Sequence, residues 1–145
     1  MRKTIWRSVA IAALVLGVGI LGSAVNAQKT KGKTRLAETK ILMRCIMQPN
    51  CKGLADVLKD AGPADDKAWG QVVQYTSLLN EMSYLLMDDG RCPDGTWAGA
   101  AKTLRECSAK VLEAAKGQKV ADAQGAFTKL TGACAACHKA HKAKS

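Results

Sequence analysis

The stretch GACAACHKAHKAKS, residues 132–145, puts Cys134 and Cys137 three positions apart and His138 directly after the second thiol. Residues i and i+3 share one face of a helix. Both sulfurs can therefore reach one partner while the imidazole approaches from an adjacent face. Three chemistries use such a set. Cys-x-x-Cys-His is the attachment signature of c-type haem, with thioethers to two porphyrin vinyl groups and the histidine as proximal iron ligand. A zinc site built from Cys134, Cys137 and His141 needs a fourth ligand such as Cys92. A redox-active dithiol is the third reading, but such pairs favour helix N-termini, where the dipole lowers a thiol pKa, and this pair lies near a C-terminus.

The other end of the chain bears on that choice. MRKTIWR carries three positive charges and is followed by the uncharged run SVAIAALVLGVGILGSAV and the polar QKTKGK. This is the order of a secretory signal. Val25 and Ala27 suit the small positions before a cleavage site, which gives residues 1–27 as a cleaved signal peptide, 28–34 as a basic leader and 35–145 as one folded domain. The alternative is an uncleaved anchor, since the run approaches the ~20 residues that span a bilayer. Either way the expected location is periplasmic or an equivalent extracytoplasmic compartment, where haem is attached to Cys-x-x-Cys-His and other thiols tend to oxidise. Haem is therefore the preferred reading, with zinc or dithiol modules as the alternative.

Loss of Arg2, Lys3 and Arg7 lowers the formal charge of +10 by three, and the domain stays basic. Lysines and arginines gather at both of its ends, in Lys29, Lys31, Lys33 and Arg35 and again in Lys139, Lys142 and Lys144. Such a surface attracts acidic partners. Export and the small number of aromatic residues, three Trp, two Tyr and one Phe, argue against nucleic acid, which needs stacking platforms. No catalytic acid, base or nucleophile stands out, so the expectation is a carrier or binding protein rather than an enzyme.

The elements that must position the motif read as all-α. Val120, Ala123, Phe127, Leu130, Cys134, Cys137 and His141 recur at alternating spacings of three and four, an inward seam that runs into the motif. A helix before it starts near Asp94 or Thr96 and carries Trp97, Ala101, Leu104, Cys107 and Val111. Another follows AGPADD and carries Trp69, Val72, Val73, Leu78, Leu79, Met82, Leu85 and Leu86. The first helix is less regular: Leu36, Leu42, Met43, Ile46 and Met47 make one stripe, Ile41 and Cys45 project from the other side, and Pro49 predicts a kink or split at QPNCKG. Four helices with short connections predict an up-down-up-down bundle, with both basic clusters at one end. Surplus apolar surface on the first helix suits a dimer through helices one and two.

A haem motif at the extreme C-terminus of a four-helix, exported chain resembles the class II c-type cytochromes, the cytochrome c′ group, over residues 35–143. The resemblance implies one covalent haem c, electron transfer to a redox partner with an acidic docking face, and a basic residue four positions after the histidine, where Lys142 stands. It also implies that a residue on the first helix faces the iron, either apolar with the site open or a methionine bound to it, with a basic residue four positions earlier. That part does not transfer cleanly, because Arg44 plus four is Gln48. The candidates are Met43, Met47 and Cys45. Either methionine would make a six-coordinate carrier of relatively high potential, and a Cys45 thiolate would lower the potential strongly. If none binds, the protein is a five-coordinate haem protein that takes up NO or CO. Cys45 has a competing role as partner of Cys51 in a disulfide across Pro49. His141 approaches from the same side as His138, which suits a surface or propionate-contacting residue.

Overall fold

A computed structural model describes residues 35–142, and the signal and leader readings on 1–34 lie outside the described residues. The described chain is helical. Its elements are α1 (Thr39–Leu42), a π-helical segment (Met43–Met47), α2 (Gln48–Leu58), α3 (Asp66–Leu85), α4 (Gly95–Lys116) and α5 (Val120–His141). The first three join end to end, so the described residues form four bundle helices.

Local chemistry explains the boundaries. The α3 and α4 starts are capped by Asp65, which accepts from the Ala68 N–H at 2.7 Å, and Asp94, which accepts from the Trp97 N–H at 2.9 Å. Each carboxylate satisfies an orphan donor of the first turn. Between α2 and α3 the chain turns at Gly62, whose φ of +81° is left-handed. A Cβ there would lie 2.6 Å from Val120 Cγ1. Only glycine fits both the dihedral and the gap.

The predicted break at QPNCKG is not found: the helical path runs from Thr39 to Leu58, and Pro49 lies in the first turn of α2. The irregularity sits one turn earlier, in the π segment. Proline cannot donate to the carbonyl four residues back and crowds it. A wider turn ahead of Pro49 is a way to accommodate this without ending the helix, and Asn50 Nδ2 donates to the Ile46 carbonyl at 2.7 Å.

Side-chain contacts fix the directions of the helices. Asn80 donates to the Arg105 carbonyl and Ser108 Oγ, and Trp97 Nε1 to the Leu86 carbonyl at 2.7 Å, so α3 and α4 are antiparallel. Gln124 Nε2 donates to the Leu58 carbonyl at 2.7 Å, and His141 Nε2 lies 3.4 Å from Asp94 Oδ1. These join the two ends of α5 to the end of α2 and the start of α4. The up-down-up-down order follows.

The core is formed by Leu54, Leu58, Trp69, Val72, Leu79, Met82, Leu104, Val111, Ala123 and Leu130 among others. The stripes agree with this in most places. Leu36 lies ahead of the first helix and is exposed, and Val73 and Leu78, expected in the core, are exposed with Ile41 and Tyr84.

Candidate functional site

The inward seam of α5 holds. Ala123, Leu130 and Cys137 are buried, while Val120, Phe127, Cys134 and His141 are partly buried. Cys134 and Cys137 thus face the bundle, and His138, next round the helix, is exposed.

Burial governs the thiols. Cys134 is pushed up to about 11, chiefly by desolvation and then by the charges of Cys51 and Cys137. Cys137 is raised by burial and then by Asp94, and Cys51 by burial alone. Protonated thiols of this kind lack the electropositive setting of a reactive dithiol. The His138 imidazole is held below its usual value, first by desolvation and then by the Lys142 ammonium. A neutral imidazole keeps a lone pair for a metal.

The bundle end around the motif is tied together by Asp94. Its Oδ1 caps α4 and also meets His141 Nε2 at 3.4 Å. The His141 ring packs edge-on against Trp97, with centroids 5.5 Å apart and planes at 74°. Its side chain is 9% exposed, so the surface reading of His141 is corrected: it latches the last turn of α5 onto the start of α4. Cys92 donates its S–H to the Asp94 carbonyl. Among the described residues no group of three or more His, Cys, Asp or Glu could hold a metal ion. The zinc set of Cys134, Cys137, His141 and Cys92 is therefore not assembled.

The first-helix candidates separate by exposure. Met47 is 7% exposed and belongs to the core, Met43 is partly buried against it, and Cys45 is exposed. The Gln124–Leu58 hydrogen bond supplies a register. Counting back from it at ~1.5 Å per residue, Cys134 and Cys137 lie about 15 and 20 Å along α5. Met47 lies about 16 Å along the facing helix, level with the motif, and Met43 about 22 Å, level with His138. Cys45 and Cys51 are free thiols on one continuous helical run. Six residues of helix rise ~9 Å, so a bridge between them requires that run to unwind.

Sequence reasoning missed Arg91, which is 1% exposed. The only available signal was a lone arginine beside a cysteine in the turn DDGRCPDG. Its Nη2 donates to the Ala37 carbonyl at 3.0 Å, while Nε and Nη1 have no hydrogen-bond partner among the described residues. Among the described residues no helix is long and apolar enough to cross a membrane. Comparison with family models, curated proteins and solved structures returned no match.

Proposed function

We propose that this chain is an exported monohaem c-type cytochrome of class II, a single-electron carrier in which Cys134 and Cys137 hold the haem through thioethers and His138 is the proximal ligand. The observation that carries the reading is a Cys-x-x-Cys-His motif whose two thiols lie on the bundle-facing side of the last helix. The donor set suits the group. Cys134 and Cys137 supply the two anchors, and His138 is kept neutral beside them. The bound haem would supply a one-electron iron couple.

The chain's own part is positional. α5 presents both sulfurs on one face, and the Asp94–His141 contact fixes the turn that follows His138. Burial of Cys137 and the neighbouring core excludes water from one side. Met47 is the favoured sixth ligand, because it is buried and level with the motif, whereas the Cys45 side chain points to solvent. A methionine opposite a histidine raises the potential and closes the iron to gases, which favours a carrier over a five-coordinate NO- or CO-binding protein.

The test is the spectrum of protein made in a host competent for haem attachment. A covalently bound, low-spin ferric form that ignores CO is expected; a high-spin form that takes up CO overturns the carrier reading, and purified protein without covalent haem overturns the whole assignment. His138→Ala should keep the attached haem and change its spectrum, since the thioethers do not involve the imidazole. An unaltered spectrum would reject His138 as ligand.

A further inference from the structure

A guanidinium has five N–H donors and stays charged in proteins. Burying one without partners is costly, so each unmatched donor calls for an explanation. Arg91 is 1% exposed. Among the described residues its one hydrogen bond from the guanidinium goes to the Ala37 carbonyl, and Nε and Nη1 have none. Asp89 forms an ion pair with Nη1 at 4.0 Å, longer than a hydrogen bond. Its Oδ2 accepts instead from the Arg35 N–H at 3.2 Å. Arg91 therefore keeps two donors, Nε and Nη1, on different edges of the guanidinium without a hydrogen bond.

Its position indicates what would use them. Arg91 precedes Cys92, whose thiol donates to the Asp94 carbonyl, and the Asp94 carboxylate meets His141 at 3.4 Å. Through Ala37 it also touches the entry to the first helix. The unused donors thus sit at the motif end of the bundle, beside the entry to the first helix. A buried guanidinium with two unmet donors calls for anionic oxygens, and a haem bound at Cys134 and Cys137 would bring two carboxylates.

We propose that Arg91 is the anchor for the haem propionates, whose oxygens would accept hydrogen bonds from its Nε and Nη1. This inference rests on the cytochrome reading above. The guanidinium neutralises the propionate next to the iron, disfavours the more positive ferric state and so holds the potential up.

The experiment uses haem-loaded protein carrying 13C-labelled propionate carboxylates, compared with Arg91→Lys and Arg91→Gln by redox-difference infrared spectroscopy and potentiometry. Arg91→Gln should lower the midpoint potential and move a labelled carboxylate band toward that of a solvated carboxylate. Arg91→Lys, which keeps the charge but loses the planar set of N–H donors, should move the same band with a smaller change in potential. If both variants keep covalent haem and show wild-type bands and potential, Arg91 is only a clamp on Ala37 and the proposal fails. A clamp would change stability without moving either readout. Should the glutamine variant not accumulate, the labelled band of the lysine variant decides alone. Wild-type protein without covalent haem removes the parent reading, and this inference with it, before any variant is made.

Discussion

Cys134 sits two units above the ordinary thiol value of 9.0 because it is buried and because Cys51 and Cys137 lie near it. Before haem attachment, folding therefore holds a proton that the unfolded chain would release above pH 9. The sign follows: stability present below pH 9 is lost as pH rises toward about 11, by about 1–2 kcal/mol once solvent screening of a partly buried group is allowed for. Urea unfolding of the haem-free chain from pH 8 to 11 should show this decline, with a flatter profile in Cys134→Ala. Haem-loaded protein should lack the step, because a thioether does not titrate. On the first helix, Met47→Ala should convert a low-spin ferric spectrum to high spin and admit CO, and Cys45→Ala should leave both unchanged. Conversion by Met43→Ala in its place would move the ligand one turn.

At the level of elements, connections matter more than propensity. Gly62 combines a left-handed φ of +81° with a missing Cβ that would stand 2.6 Å from Val120 Cγ1. Substituting alanine adds a dihedral penalty of about 1–2 kcal/mol and an overpacking cost of about 1–3 kcal/mol. Gly62→Ala should thus lower the unfolding free energy by about 2–5 kcal/mol, measurable by denaturant titration, and Val120→Ala in the same chain should recover part of the loss. Recovery would locate the contact between the α2–α3 turn and the start of α5. Pro49 shows the opposite case. A residue read as a break is carried inside a continuous helix, directly after a turn widened into a π segment.

For the molecule as a whole, the antiparallel order brings Arg35, Lys40, Lys139 and Lys142, all exposed, to the end that carries the motif. Attraction from such a patch is felt over roughly a Debye length, ~8 Å at physiological ionic strength. Electron exchange of the haem-loaded protein with a small anionic oxidant should therefore slow as salt is raised, and Lys139→Glu with Lys142→Glu should slow it several-fold at low salt while the dependence flattens. A rate indifferent to both would place the docking face elsewhere. Ile41 on the first helix and Val73, Leu78 and Tyr84 on α3 remain exposed.

The four helices and the inward seam of α5 were legible from residue types and spacing, because helical period and capping are local properties of the chain. The seam carried furthest: every position from Val120 to His141 that the period pointed inward is wholly or partly shielded. Pro49 misled because its effect depends on the turn before it, and Leu78 because period alone cannot say how wide a face its neighbours will cover. The latch of His141 on Asp94 and the buried guanidinium of Arg91 required the tertiary structure. Both join segments distant in sequence, and what a side chain touches across a bundle is set by how the helices pack, which no local pattern encodes.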